Sequence, residues 1–277
     1  MIELGKTQKL TVRRVVDFGA YLGSDGADVE VLLPSRYLPE NSQVRDEIEV
    51  FVYKDSEDRP IATTEHPFAT VGEFAFLSVS AVNDTGAFLD WGLPKDLLVP
   101  YSEQKVKMRR GGIYLVYVYV DHATGRIVAS AKVEKFLGNV YPDYKPGQEV
   151  KALVYEHNDI GYKVIVDNLH RGIIYSNEIY SPIEIEETVK AYVKQVREDG
   201  KIDLTLNDKA ANRTASLADR LMDYLADSSN APVSEKMSPE MIATIFECSK
   251  KDFKKAVGHL YKERKIVIAP NGTIAKV

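Results

Sequence analysis

Short apolar segments with a period of two occupy the first three quarters of the 277-residue chain. Residues 48–53 read Ile-Glu-Val-Phe-Val-Tyr, which predicts a strand with Ile48, Val50 and Val52 facing inward. Turn residues and prolines separate such segments, and five strands are predicted in about the first sixty residues. Comparable sets of segments follow twice. Many short strands at regular spacing are typical of a sandwich or a barrel.

A glycine segment recurs in each of the three sets. Residues 17–22 read Asp-Phe-Gly-Ala-Tyr-Leu, residues 84–89 read Asp-Thr-Gly-Ala-Phe-Leu, and residues 159–164 read Asp-Ile-Gly-Tyr-Lys-Val. A glycine inside a strand pattern usually marks a bulge or a sharp bend. Because repeats set the architecture, the chain is predicted to contain three copies of one small five-stranded barrel of the OB type. The predicted domains span residues 1–68, 69–139 and 140–210.

The last quarter of the chain, residues 211–277, has a different period. Apolar residues fall at helical spacing in three successive segments, and Ser238 and Ser249 are predicted to cap the second and third helices. Two apolar runs then flank Asn271-Gly272, a strong hairpin signal. Three helices and a hairpin predict a winged helix, in which the third helix normally recognises nucleic acid.

The glycine segments and the closing turns together resemble a known domain. Residues 18–21 read Phe-Gly-Ala-Tyr and residues 199–205 read Asp-Gly-Lys-Ile-Asp-Leu-Thr. The repeated unit resembles the RNA-binding OB-fold domain of ribosomal protein S-one over residues 4–208. The resemblance implies a mostly β fold with an α C-terminal part, that is, three tandem five-stranded OB-fold barrels plus a winged-helix domain. This domain order resembles the bacterial CvfB (YitL) family, RNA-binding proteins that influence virulence-factor expression.

The resemblance implies a set of base-stacking and basic residues. S-one-type domains stack bases on two aromatics of the glycine segment, helped by an aromatic or histidine after the third strand and a basic residue near the last turn. Carried over to this sequence, the matching residues of the first unit are Phe18, Tyr21 and Arg59. Those of the second unit are Phe88 and Arg126, and those of the third are Tyr175 and Lys201. Other positions depart from the pattern, namely Thr85, Ile160, Lys163, Pro34 and Pro100. We therefore expect the three barrels to differ in RNA binding.

Two clusters of basic residues are expected to contact phosphates. The densest run in the barrels is Lys105, Lys107, Arg109 and Arg110, and the third helix of the tail presents Lys251, Lys254 and Lys255 away from its apolar face. Each cluster, taken alone, is equally consistent with a solvated surface. Phe18 or Tyr21 is likewise consistent with a place in the core. Trp91 either stacks on a base or braces the barrel, and we favour bracing.

The charge distribution places basic surface in particular segments. The formal net charge of −5 is made up of −5 in residues 1–68, +1 in 69–139, −4 in 140–210 and +3 in 211–277. A polyanion therefore finds local basic surface despite the negative total. One cysteine fits a reducing compartment. With no leader pattern and no membrane-length apolar run, we expect a cytoplasmic protein without a membrane partner.

Catalytic signatures are missing from the sequence. The five histidines are scattered, and there is no HExxH motif, no P-loop and no G-x-S-x-G motif. We expect a non-enzymatic protein without metal or cofactor, which binds single-stranded RNA and regulates gene or virulence-factor expression. Two alternatives stay open. One is a DNA-binding transcriptional regulator that acts through the winged helix. The other is an interaction scaffold that docks on ribosomal or RNA-decay proteins.

Overall fold

A computed structural model of the chain describes residues 2–24, 26, 29–176, 179, 183–206, 210–227 and 230–277, with the backbone alone for residues 210–216. The described residues form three closed five-stranded barrels and a C-terminal domain of three helices and a small sheet. The predicted fold class is therefore confirmed. Two compact units divide the chain: Met1–Phe136 holds the first two barrels, and Leu137–Val277 holds the third barrel and the helical domain. No helix in these ranges is both long and apolar enough to cross a membrane.

The three barrels share one topology. In each, the strands follow the order first, second, third, fifth, fourth, with the third and fifth strands parallel and all other pairs antiparallel. The predicted domain boundaries stay predictions, and the observed strands lie inside them. Barrel 1 contains β1 (Thr7–Val16), β2 (Gly19–Gly23), β3 (Glu30–Pro34), β4 (Glu47–Lys54) and β5 (Pro60–Thr63). Barrel 2 contains β6 (Phe74–Val82), β7 (Gly86–Asp90), β8 (Leu97–Pro100), β9 (Ile113–Asp121) and β10 (Arg126–Ser130). Barrel 3 contains β11 (Glu149–His157), β12 (Gly161–Val166), β13 (His170–Tyr175), β14 (Thr188–Val196) and β15 (Ile202–Thr205).

The repeated glycine opens the second strand of every barrel. A Cβ atom would lie 2.1 Å from the Leu33 carbonyl oxygen at Gly19, 2.3 Å from that of Val99 at Gly86, and 2.2 Å from that of Ile174 at Gly161. The glycine therefore permits close approach of the second strand to the third. The irregularity that the sequence placed near this glycine lies instead in the first strand, where the register shifts within β1, β6 and β11.

The second half of β4 is buried on both faces, whereas Glu47 and Glu49 are exposed. Ile48, Val50 and Val52 point into barrel 1, as predicted. The opposite face carries Phe51, which is only 1% exposed because its ring packs edge-on against Trp91 of barrel 2, with 5.6 Å between the ring centroids. Trp91 is itself 3% exposed, so it braces the two barrels and cannot stack on a base.

The C-terminal domain is a winged helix with one more strand than the sequence indicated. Its elements are α1 (Ala210–Ala226), β16 (Val233–Ser234), α2 (Pro239–Phe246), α3 (Lys250–Lys262), β17 (Ile266–Ile268) and β18 (Thr273–Lys276). Ser238 and Ser249 cap α2 and α3 as predicted, each accepting a hydrogen bond from a backbone N–H three residues later. The two-residue strand β16 pairs with β18 and widens the predicted hairpin to three strands.

Candidate nucleic-acid interface

Barrel 1 presents an open aromatic and cationic surface on β1, β2 and the turn between them. The Arg14 guanidinium carbon lies 3.6 Å from the centroid of the Tyr21 ring, and the Phe18 ring meets Tyr21 edge-on with 6.4 Å between centroids. Phe18 is 57% exposed, so the alternative that it belongs to the core is wrong. Tyr21 is half-buried. We call Arg14, Phe18 and Tyr21 the barrel-1 platform.

Arg14 joins the platform through a β-bulge that the sequence did not reveal. Val12 pairs with Leu22, but Arg14 pairs with Tyr21, so the strand accommodates one extra residue, Arg13. The shift puts the guanidinium over the ring, and Glu30 on β3 holds it there through an ion pair of 3.2 Å. The only sequence signal for the place of Arg14 in the platform was the adjacent pair Arg13-Arg14 near the end of a predicted strand.

The cross-strand register identifies the equivalent pair in each barrel. The position of Tyr21 is taken by Phe88 in barrel 2 and by Lys163 in barrel 3. Its partner across the strands is Ala81 in barrel 2 and Glu156 in barrel 3. Lys163 donates a hydrogen bond of 2.6 Å to Glu156, so an ion pair occupies the site where barrel 1 has a cation over an aromatic ring.

The basic residues near the last turns occupy equivalent positions, and each has an acidic partner. Arg59 pairs with Asp55 at 2.8 Å, and Lys201 pairs with Asp199 at 2.7 Å. Arg126 donates to Asp58, which lies in the last turn of barrel 1. The hydrogen bond from Arg126 lowers the pKa of Asp58, and the one from Lys201 lowers the pKa of Asp199. Both acids are therefore charged near neutral pH, and a phosphate has to compete with them.

Tyr175 and Phe88 are half-buried beside charged groups. Arg197 donates to the Tyr175 hydroxyl and pairs with Asp203 at 2.6 Å. Tyr175 thus belongs to a polar network of barrel 3. Phe88 lines a cleft where barrel 2 faces the last turn of barrel 1.

The basic loop of barrel 2 places four cations in solvent. Lys105, Lys107, Arg109 and Arg110 are all exposed, whereas Met108 between them is 2% exposed and anchors the loop in the core. The Gln104 side chain accepts a hydrogen bond from the Met108 backbone and stabilises this conformation. Across the part of the chain that the structure describes, no carboxylate forms an ion pair with these four side chains.

Helix α3 presents a second basic surface. Lys251, Lys254 and Lys255 are exposed, and the buried side of the helix consists of Phe253, Ala256, Val257 and Leu260. The nearest acid, Asp252, lies 3.8 Å from the Lys255 ammonium, a loose and exposed contact. The lysine side chains therefore point away from the core, as the helical period predicted. Their role in nucleic-acid binding stays a prediction.

Comparisons with known proteins match both ends of the chain. The sequence model of the S1 domain family matches residues 4–65, and that of the CvfB-like winged helix domain matches residues 219–274. The protein YitL of Bacillus subtilis strain 168, described as uncharacterized, is 31% identical over 273 residues, which cover 95% of this chain and 90% of YitL. Conserved virulence factor B of Staphylococcus aureus strain USA300 is 27% identical over 261 residues, or 91% of this chain and 87% of that protein.

A solved structure is similar over the whole length. It is the crystal structure of a multidomain protein with nucleic acid binding domains from Streptococcus pneumoniae TIGR4, which is 24% identical and covers 99% of this chain and 98% of its own. The TM-score of the superposition is 0.40.

Proposed function

Because the chain belongs to the family of YitL and conserved virulence factor B, we propose that it binds single-stranded RNA and regulates gene expression, without catalysing a reaction. The chain carries an S1 domain and a CvfB-like winged helix domain. The observation that carries the proposal is the barrel-1 platform, with Phe18 exposed beside the Arg14–Tyr21 pair. We further propose that the protein acts in the cytoplasm, where its RNA would be found.

The chemistry of the barrel-1 platform favours unpaired bases. An exposed aromatic ring offers a stacking face to any base, and each stacked base contributes about 1–3 kcal/mol. Bases inside a duplex are already stacked on their neighbours, so the ring can stack only on the bases of unpaired RNA. Arg14 adds a cation next to the stacking site, and a phosphate that binds it competes with Glu30, its partner at 3.2 Å.

The three barrels contribute unequally in this proposal. Barrel 1 has the open platform, although residues 1–68 are acidic as a whole. In barrel 3 the Glu156–Lys163 ion pair replaces it, so we expect little stacking there. The basic loop of barrel 2 and the lysine face of α3 supply positive charge for the phosphates. In this proposal barrel 1 supplies the base stacking, and barrel 2 and α3 supply much of the electrostatic attraction for the phosphates.

The proposal is tested by titrating labelled single-stranded RNA with the full-length protein and following fluorescence anisotropy. Phe18→Ala should weaken binding about 5- to 150-fold, because the stacking of one base is removed. Ile160→Ala is the matched control, since Ile160 is 61% exposed at the equivalent position of barrel 3 and carries no ring. If the wild-type protein does not bind RNA at low salt, or if Phe18→Ala binds as well as Ile160→Ala, the proposal fails.

The lysine face of α3 favours one competing function, DNA binding by the winged helix. Replacing Lys251, Lys254 and Lys255 by Glu in the full chain separates the two functions. If RNA is the ligand, the slope of log K against log salt for single-stranded RNA becomes shallower by about 0.7 for each phosphate that a lysine no longer neutralises. If duplex DNA is the ligand, the wild type binds duplex DNA more tightly than RNA, and the triple variant loses that binding.

The scaffold alternative rests on the acidic first and third units, residues 1–68 and 140–210, which carry −5 and −4. Glu184, Glu186 and Glu187 are exposed in the connection before β14. A pull-down in which these three glutamates are replaced by Gln tests this role. Loss of a ribosomal or RNA-decay protein from the captured set, with RNA affinity unchanged, would support the scaffold.

A further inference from the structure

A cleft of about 350 Å³ lies in barrel 3, between its last turn and the lead-in segment, residues 138–142, which precedes the barrel. All of the walls belong to the compact unit Leu137–Val277. The volume falls within the range of small-ligand sites, about 300–1,000 Å³. It is large enough for one nucleobase and too small for a longer stretch of RNA.

We infer that this cleft binds a guanine base of the RNA chain, which stacks on Tyr141 and donates hydrogen bonds from its Watson–Crick edge to Glu198. The assignment rests on the proposed function and adds base selectivity to it. It uses none of the stacking positions that the S-one resemblance implies, because Tyr141 lies outside the glycine segment and before β11.

Barrel 3 holds the lead-in segment in place through the backbone of that segment. The Gly138 N–H donates to the Leu169 carbonyl at 2.9 Å. The buried His170 side chain donates from Nε2 to the Val140 carbonyl at 3.0 Å. Tyr141 follows directly and is 67% exposed. The segment is therefore fixed while the Tyr141 ring stays open, as stacking on a base requires.

The last turn of barrel 3 supplies a carboxylate for the cleft. The turn lies against the lead-in segment, since a Cβ atom at Gly200 would be 3.7 Å from Cδ of Pro142. Lys201 engages both oxygens of Asp199, with its backbone N–H 3.2 Å from Oδ1 and its ammonium 2.7 Å from Oδ2. Glu198 is exposed and lines the cleft, and none of the ion pairs among the described residues includes it. The Glu198 carboxylate is therefore the one that can accept from a ligand.

Guanine matches these groups better than the other bases do. Its N1–H and N2–H donors lie side by side and reach both oxygens of one carboxylate, an arrangement that adenine, cytosine and uracil lack. The guanine O6 accepts hydrogen bonds, and Arg171, half-buried in the cleft wall, carries donors for it. Single-stranded RNA leaves this edge unpaired, so a protein can read it while the base stacks on an aromatic side chain.

The experiment follows the fluorescence anisotropy of a labelled single-stranded RNA of roughly 16 nucleotides, titrated with the full-length protein. One guanosine stands in a uridine background. Replacing it by adenosine should weaken binding about 5-fold or more, because the bidentate pair with the carboxylate is lost. Inosine, which lacks the N2 amino group, should bind with an affinity between the two.

Two protein variants assign the selectivity to the cleft. Glu198→Gln should abolish the difference between guanosine and adenosine RNA, because its amide presents a donor to one of the two guanine donors. Asp143→Asn is the matched control and should keep the difference, since Asp143 is exposed beside the lead-in segment and lies outside the cleft. Tyr141→Leu should weaken the binding of both RNAs about 5-fold or more. Its control is Phe68→Leu, which alters a ring that is 66% exposed in the other compact unit.

The outcomes separate the guanine site from the proposed function. If the wild type binds RNA and Phe18→Ala weakens it, but guanosine and adenosine RNA bind alike or Glu198→Gln keeps the preference, the guanine site is overturned and the proposed function stands. A Tyr141→Leu variant that binds as well as Phe68→Leu overturns the stacking position. If guanosine monophosphate alone binds as tightly as the guanosine RNA, the cleft belongs to free nucleotides and its place in RNA binding is overturned. A wild type that does not bind RNA overturns both proposals.

Discussion

Replacing Phe51 by Ala should strongly destabilise the unit formed by the first two barrels. Phe51 is 1% exposed and packs against Trp91, so its removal leaves a cavity between the barrels. Removing a fully buried phenylalanine costs about 3–5 kcal/mol. The alternation of β4 alone would put Phe51 on the outside of barrel 1, where substitutions usually change stability by only about 0.5 kcal/mol. The losses of stability expected for a buried and for an exposed Phe51 therefore differ several-fold.

Trp91 makes the measurement selective. It is the single tryptophan of the chain and contacts Phe51, so its fluorescence follows the unfolding of this unit. With a slope of about 2 kcal/mol per molar urea, the unfolding midpoint should fall by about 1.5–2.5 M. Phe68→Ala is the control, and its midpoint should stay within about 0.3 M of the wild type. A Phe51→Ala midpoint equally close to the wild type would refute the packing of the two barrels through this pair.

Three further outcomes follow from individual sites. Burial raises the pKa of the Cys248 thiol to about 11, so the native protein should react slowly with thiol reagents at pH 8. Because this pKa lies above the unfolded value, the contribution of Cys248 to stability is complete below pH 9 and is lost as the pH rises toward 11; Cys248→Ala should remove that part of the pH profile. Changing Glu156 to Arg and Lys163 to Tyr together should rebuild the barrel-1 pair in barrel 3 and tighten single-stranded RNA binding about 5-fold, as measured by anisotropy; unchanged affinity would contradict the assigned role of this pair. Ser249→Ala should destabilise the winged helix by about 1 kcal/mol through loss of the α3 cap, measured by urea unfolding followed by circular dichroism at 222 nm; no shift would show that the cap does not contribute.

Much of the secondary structure could be predicted because it depends on neighbouring residues. The strand predicted over residues 48–53 is observed as Glu47–Lys54, and both serine caps are confirmed. Strand β16 was missed because two residues are too few to show an alternation of apolar and polar positions. This strand exists only through its pairing with β18. A local pattern cannot indicate a strand whose partner lies forty residues away.

The candidate site was predictable only in part. The resemblance identified Phe18 and Tyr21, but Arg14 joins them through a register shift that depends on how β1 pairs with β2. The resemblance also marked Arg59, Arg126 and Lys201 as RNA-binding residues, and the structure gives each an acidic partner. Those partners come from turn geometry, and in one case from another barrel, neither of which can be read from a motif.

The sequence by itself therefore determined three barrels, a winged helix and the inward face of β4. These features follow from the period of the apolar residues, the positions of the glycines and the helix caps, each of which depends on residues close together in the chain. Only the tertiary structure decided which outer faces stay open. The platform of barrel 1 is exposed, the outer face of barrel 2 borders a cleft against its neighbour, and an ion pair closes the equivalent site of barrel 3. The physical reason is that exposure and pairing depend on contacts between residues far apart in the chain, which the repeated segment does not contain.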